Sequence, residues 1–302
     1  MGDGQGAKIG FLGPRGTFSE EAARKHLAQA GLDAELIPYR GIPDLLAAVE
    51  RAELDWAVVP AENSIEGSVA VTLDTLAHDV DVAIAGEIVL AVRHHLLVRR
   101  GHEGWPIHTV VSHPQALAQC RRYLQARLPG VSVQAAFSTA EAARLAGESE
   151  EPGLAAIGNS LCADLYGLAV LDSDIQDFPG NATRFFVAGR ADRPRTGQDK
   201  TSVVFAFAAD RPGNLYRALG EFARRNINLT KLESRPAKQL LGDYIFFADL
   251  EGHRADPAVA GALEGLRRQC AYVKVLGSYP RADYAGVRSR TRPAPAERQD
   301  NR

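Results

Sequence analysis

Residues 8–30, K-I-G-F-L-G-P-R-G-T-F-S-E-E-A-A-R-K-H-L-A-Q-A, pass from an apolar run through a Gly/Pro turn into an amphipathic stretch. The pattern predicts a buried strand at Lys8–Leu12 and a helix at Phe18–Ala30. Thr17 and Glu20 stand three apart where that helix begins, the spacing of a capping box. Working outward, the unit repeats. Strands are predicted at Ala34–Tyr39, Asp55–Pro60, Thr109–Ser112, Val131–Phe137 and Leu154–Gly158, and helices at Asp44–Glu50, Pro114–Arg127 and Thr139–Ala146. Strand–helix alternation over residues 8–188 reads as an α/β, doubly wound parallel sheet. The long apolar stretch Val82–Val98 suits strands crossing between two lobes.

Residues 189–200 are polar and carry Gly and Pro, as a linker would. Beyond them the rhythm changes: strand Ser202–Ala209, helix Asn214–Arg225, strands Asn228–Ser234 and Asp243–Leu250, helix Pro257–Gln269, strand Tyr272–Ser278. That order, βαββαβ over residues 201–280, is ferredoxin-like. The tail 281–302 holds six Arg against two Asp and one Glu and reads as a solvated disordered end.

Composition narrows the function. The 302 residues carry 35 Lys+Arg against 37 Asp+Glu, a formal net charge of -2, so no bulk basic field points to nucleic acid or anionic lipid. Hydrophobic residues make up 45% and charged ones 24%, a globular composition. Cys120, Cys162 and Cys270 are odd in number and far apart, which argues against a disulfide framework or a zinc knuckle. No apolar run approaches the ~18 residues of a membrane span, and the N-terminus lacks a signal peptide's apolar core. A reduced, cytoplasmic protein is the expectation.

Chemistry concentrates in a few segments. Gly13–Glu20 follows a strand and opens a helix, so its free N–H groups could face an anion, but taken alone the segment reads as an ordinary capped turn. V-P-A-E-N-S-I-E-G-S-V at 59–69 delivers Asn63 and Ser64 to the carboxyl end of a strand, the edge where open α/β sheets bind ligands. A polar turn with an N-cap is the alternative there. In S-H-P-Q-A-L-A-Q-C, residues Ser112, Gln115 and Gln119 are spaced to share one helix face, and Ser112 with Gln115 matches a second capping box. An uncharged stripe of that kind orients a ligand, or is simply a solvated helix face. N-A-T-R-F places Thr183 and Arg184 at a strand start, where Arg184 could grip a carboxylate or form a surface ion pair. His94 and His95 are adjacent, so on a strand they face opposite ways and cannot chelate together. No metal-ligand spacing is visible, and a metal-free site is expected.

Taken together, G-P-R-G-T-F-S, the 59–69 segment, S-H-P-Q-A-L-A-Q-C and N-A-T-R-F resemble prephenate dehydratases in order and separation. P-G-N-L-Y-R-A-L and L-T-K-L-E-S-R-P resemble the phenylalanine-binding motifs of that family's ACT domain. The resemblance covers about residues 8–280. It implies a catalytic unit of two lobes with type 2 periplasmic-binding-protein topology, then the ACT domain. The implied reaction turns prephenate into phenylpyruvate, water and carbon dioxide without cofactor. Only seven residues precede the first predicted strand, so the form without a fused chorismate mutase is expected. Carried over, Thr183 would donate to the departing hydroxyl, with Asn63, Ser112 and Gln119 as its catalytic companions. Arg184, Thr17, Phe18, Ser64 and Gln115 would bind substrate. Gly213, Asn214 and Leu215, with Glu233, Ser234, Arg235 and Pro236, would bind phenylalanine across a dimer interface. Asn214 departs from the family, which usually has a small apolar residue there. A homodimer or homotetramer is expected.

Physics constrains these roles. The ring carboxylate loses its charge as carbon dioxide departs, so a strong Arg pair there would stabilise the ground state more than the transition state. Arg184 is therefore expected on the pyruvyl-side-chain carboxylate. The rivals are an arogenate dehydratase, with the same chemistry on an amine-bearing substrate, and a non-catalytic small-molecule sensor.

Overall fold

Residues 6–237 and 244–284 are described by the computed structural model. The first lobe comprises β1 (Ala7–Leu12), α1 (Phe18–Ala30), β2 (Ala34–Tyr39), α2 (Ile42–Glu50), β3 (Trp56–Asn63), β4 (Gly67–Ser68), α3 (Ala70–His78) and β5 (Ala83–Ala91). The second comprises β6 (His95–Arg99), β7 (Thr109–Ser112), α4 (Pro114–Gln119), α5 (Arg121–Arg127), β8 (Ser132–Ala135), α6 (Thr139–Glu148), β9 (Leu154–Gly158), α7 (Ser160–Leu165) and β10 (Leu168–Asp172). The chain then returns to the first lobe as β11 (Ala182–Gly189). A last unit follows: β12 (Asp199–Ala206), α8 (Asn214–Ala223), β13 (Leu229–Pro236), β14 (Tyr244–Glu251), α9 (Pro257–Gln269) and β15 (Tyr272–Pro280).

Sheet order explains where a site can form. The first lobe runs β2-β1-β3-β11-β5 and the second β10-β6-β9-β7-β8, the type 2 periplasmic-binding-protein arrangement. Each sheet is mixed rather than wholly parallel. β11 runs antiparallel to both β3 and β5, and β6 antiparallel to both β9 and β10. The reversals occur on the strands beside the two crossings, β5 to β6 and β10 to β11. The apolar stretch 82–98 is the first crossing, as expected.

Local departures have visible causes. The helix expected over 114–127 breaks at Cys120, whose backbone (φ -113, ψ 14) leaves the helical region. There the returning segment docks: Asp177 N–H donates to the Gln119 carbonyl at 2.6 Å, and the Asp177 carboxylate accepts from Arg122 N–H at 3.2 Å. Ser112 does not cap this helix. His113 does, its Nδ1 accepting from Gln115 N–H.

The third unit is the expected βαββαβ, with antiparallel order β13-β14-β12-β15. α8 and α9 cover one face through Phe205, Phe222, Leu250 and Leu263. Its other face shares a core with the first lobe, where Val204, Ile245, Phe247, Leu276 and Tyr279 pack among residues of α2, α3, β3 and β11. Side chains of this size contribute about 1.5–3 kcal/mol each when buried. Gly277 (φ +151) lies so near β5 that a Cβ would stand 2.2 Å from the Ile84 carbonyl oxygen.

The linker is shorter than 189–200, because β11 reaches Gly189 and β12 starts at Asp199. Ordered chain also runs past residue 280. Arg281 pairs with Glu251, Ala282 N–H donates to Glu87, and the Tyr284 hydroxyl accepts from Lys200. The rest of the tail expected to be disordered lies outside the described residues.

Candidate active site

A cavity of about 520 Å³ opens between the lobes, lined by Thr17, Phe18, Asn63, His94, Gln115, Gln119, Phe137, Thr183 and Phe185 among others. Its polar groups form one directed network that starts from backbone. Asn63 Oδ1 accepts from Ile65 N–H at 3.0 Å and Glu66 N–H at 3.3 Å, so its amide nitrogen must point the other way. Asn63 Nδ2 then donates to Thr183 Oγ1 and to Asn181 Oδ1, each at 2.9 Å. Asn181 Nδ2 is left to donate to Gln119 Oε1 at 2.9 Å. Because Thr183 Oγ1 already accepts, its own proton is directed elsewhere, and no described residue takes it. The chain therefore ends on two donors at the cavity, the Thr183 hydroxyl and the Gln119 amide nitrogen.

Thr183 and Asn63 meet because β11 and β3 pair in register at those two residues. Their alternation decides what is excluded. Thr183 and Phe185 face the cavity, whereas Arg184 faces the opposite side. Arg184, expected on a substrate carboxylate, is instead buried between the first lobe and the βαββαβ unit. It donates to Glu87 at 2.6 Å, Asp249 at 2.5 Å and the Tyr279 hydroxyl at 2.9 Å, with its guanidinium over the Phe186 ring. Burial pushes the Asp249 carboxyl up, yet Arg184 and the Ser202 hydroxyl hold it below its ordinary value.

Other expected members separate too. Ser112 is fully buried and donates to the Ile157 carbonyl at 2.7 Å, tying β7 to β9 away from the cavity. Ser64 stands behind the network, accepting from Ala182 N–H and donating to Asn181 Oδ1. It lines a second cavity of about 770 Å³ on the Arg184 side of β11. Thr17 is at the rim but acts as a cap, accepting from Glu20 N–H and donating to the Leu12 carbonyl. Glu20 completes the turn by accepting from Gly16 rather than Thr17. Phe18 sets its ring edge-on to His94, with centroids 5.8 Å apart.

Asn181 and His94 belong to the site without having been assigned to it. Asn181 was visible only as the first letter of N-A-T-R-F, and His94 only as half of an adjacent pair. Burial pushes the His94 pKa down to about 4, so the ring is neutral near pH 7. The cysteines are not poised as nucleophiles, since burial raises both Cys120 and Cys162 to about 12. Among the described residues, no group of three or more His, Cys, Asp or Glu is placed to hold a metal ion. Nor is any helix among them long and apolar enough to cross a membrane.

The expected effector residues lie on the last unit. Gly213 (φ +85) precedes α8, and Asn214 Nδ2 donates to the Ala209 carbonyl. Leu215 packs against that unit's own core. On β13, Glu233 and Arg235 turn toward the first lobe, while Ser234 and Pro236 are exposed. Glu233 accepts from the Ser68 hydroxyl and Arg235 pairs with Asp74. Among the described residues, no hydrogen bond or ion pair joins 213–215 to 233–236.

Two lobes around a polar cleft, with a βαββαβ unit fused to one of them by a common core, define a periplasmic-binding-type ligand fold carrying a regulatory domain. Residues 9–193 match the family model for prephenate dehydratase and residues 202–268 that for the ACT domain. The chain belongs to the prephenate dehydratase family. It is 42% identical to a prephenate dehydratase of Methanocaldococcus jannaschii over 88% of this chain and 96% of that one. Its structure resembles that of a prephenate dehydratase from Arthrobacter aurescens in complex with L-Phe, with TM-score 0.83, 40% identity, and 92% and 91% of the two chains covered. GqqA, described as a novel type of quorum quenching acylase, is also similar, with TM-score 0.80, 31% identity, and 92% and 99% coverage.

Proposed function

We propose that the chain converts prephenate to phenylpyruvate, water and carbon dioxide in phenylalanine synthesis, with Thr183 as the donor to the leaving hydroxyl. The observation that carries the assignment is the Asn63–Thr183 hydrogen bond. Asn63 Nδ2 occupies one lone pair of the Thr183 oxygen, so the hydroxyl proton points away from Asn63 and is left for the substrate. The C4–O bond breaks as that proton is transferred, and the electrons of the breaking C–C bond to the ring carboxylate complete the aromatic ring. Prephenate dianion plus one proton thus gives phenylpyruvate monoanion, carbon dioxide and water, and solvent returns the proton to Thr183. General-acid assistance of this sort typically supplies ~10²–10⁴ in rate.

Among the described residues no Lys or Arg lines the cleft, which suits a reaction that destroys one substrate charge. A cation held against the departing carboxylate would oppose its conversion to neutral carbon dioxide. The anionic side chain is met instead by neutral donors, Gln119 and Gln115, and by the start of α6 at Ser138 and Thr139, which also lines the cleft. Fold alone does not choose between this chemistry and another on the same scaffold. The donor network supports the dehydratase reading, because it offers no base-activated nucleophile for acyl transfer: His94 bonds to Gln119, not to a hydroxyl.

Regulation by phenylalanine at the ACT domain, assembly as a homodimer or homotetramer, and a cytoplasmic setting belong to the same proposal. Incubating the protein with prephenate, and separately with arogenate, while following phenylpyruvate and phenylalanine formation tests it. Prephenate turnover that millimolar phenylalanine changes is the expected result. Binding without turnover of either substrate would reject the catalytic assignment. Light scattering with and without phenylalanine reports the assembly.

A further inference from the structure

His94 sits on the first crossing between the lobes, 3% exposed, and lines the cleft without a part in the proton transfer. Its backbone is clamped: its N–H donates to Gln176 Oε1 at 2.9 Å, and its carbonyl accepts from Ile175 N–H at 2.9 Å. The ring therefore reaches the site from a held position. Its Nε2 lies 3.1 Å from Gln119 Oε1, and its Nδ1 is buried with no partner among the described residues.

These facts determine the tautomer. The atom of Gln119 facing His94 is oxygen, because Asn181 Nδ2 already donates to it. A neutral imidazole has one N–H. On Nε2 it finds that oxygen, whereas on Nδ1 it would be a buried donor without an acceptor, the costlier kind of orphan. We infer that His94 is a positioning residue for the dehydratase reaction: its Nε2–H holds the Gln119 carbonyl inward and so turns the Gln119 amide nitrogen onto the substrate. With two donors on Oε1, from His94 and Asn181, flipping the amide would set N–H against N–H twice. Phe18, edge-on to the ring, limits its rotation. The surroundings keep the ring uncharged: burial disfavours the cation, the Gln119 bond favours it less strongly, and neighbouring His95 disfavours it further.

The inference rests on the dehydratase reading, but its first test does not. Long-range ¹H–¹⁵N NMR of the full substrate-free chain, with the ring assigned by loss of its signal in His94→Gln, should show a neutral Nε2–H tautomer that does not titrate between about pH 8 and 5. An Nδ1–H tautomer, or protonation near the ordinary histidine value, would overturn the inference whatever the protein does to prephenate. Kinetics form the second arm. His94→Leu should lower kcat on the order of 10²-fold with little change in KM, as a misdirected donor does. His94→Gln, which restores an N–H near the same place, should recover most of that loss. In a Gln119→Ala background, His94→Leu should cost nothing further. Equal losses in the Leu and Gln variants, or additive losses in the double variant, mean a packing role and overturn it. If His94→Leu fails to fold, the NMR result still decides.

Discussion

Thr183 and Arg184 are neighbours on β11, yet they occupy opposite electrical environments. On the Thr183 side, every polar partner is neutral, and the network ends on donors facing an open cleft. On the Arg184 side, two cations and two carboxylates lie buried together: Arg184, Lys200, Glu87 and Asp249. Arg184 and Glu87 belong to the first lobe, whereas Lys200 and Asp249 belong to the ACT domain. One strand thus presents a chemical surface on one face and an interdomain clamp on the other. The difference shows how adjacent residues on one strand come to sit in a neutral cleft and in a charged interdomain seam. It also places the ACT domain one strand's thickness from the Thr183 hydroxyl.

The sharpest way to break this comparison is to mutate each neighbour and read both stability and rate. Thr183→Val should lower kcat by ~10²–10⁴ while the melting temperature stays near wild type; wild-type turnover would remove the hydroxyl from the mechanism. Arg184→Ala should do the reverse. Glu87 keeps Lys200, but leaving the buried Asp249 carboxylate without its ion-pair partner costs about 3–5 kcal/mol of stability, visible in denaturant unfolding. If that variant stayed fully stable but lost affinity for prephenate, the carboxylate role first expected of Arg184 would be restored.

Acid tests the buried neutral groups. His94 and His26 both have pKa values lowered by burial to about 4, against an ordinary 6.5. Above pH 6.5 the folded and unfolded states are both uncharged at these rings, so nothing is lost. Between pH 6.5 and 4 the unfolded chain takes up protons that the fold refuses. Stability should therefore fall by on the order of 3 kcal/mol per ring across that window. Asp249, held low, acts in the same direction only at more acid pH, as its carboxylate is protonated. A flat stability profile from pH 7 to 4.5 would contradict the burial of the two rings.

The smallest expected effect concerns the docking of the ACT domain. Gly277→Ala places a methyl against the Ile84 backbone and should cost about 1–3 kcal/mol by overpacking. Heat capacity traces should then show the ACT domain melting ahead of the lobes, whereas wild type melts as one unit through the shared core. Two transitions in wild type would sink that reading.

Much of the fold was legible because hydrophobic period and turn residues are local. β1, β2, β7 and β9 fall almost where the apolar runs predict, and so do α1, α9 and the βαββαβ order. The break at Cys120 was not legible, since the cause is a segment some fifty residues away in sequence. Half the site was readable as motif letters: Asn63, Gln119 and Thr183 do meet. Ser64, in the turn after β3, is placed by Ala182 and Asn181, and Ser112 by the Ile157 carbonyl of β9, whereas Arg184 is placed by strand alternation. A motif names adjacent residues, but a strand sends them alternately to opposite faces, and only a partner strand's register says which face is the cleft.

By itself the sequence determined the element types, the two-part organisation and the family, because these depend on patterns within a few turns of chain or on ordered motifs. Tertiary structure alone decided which side chains share a cavity, which way each amide points, and that the regulatory domain shares a core with the catalytic lobe. Those outcomes depend on hydrogen bonds and packing between residues far apart in sequence, 120 positions from Asn63 to Thr183 and 195 from Glu87 to Ala282. No local preference encodes such a pairing.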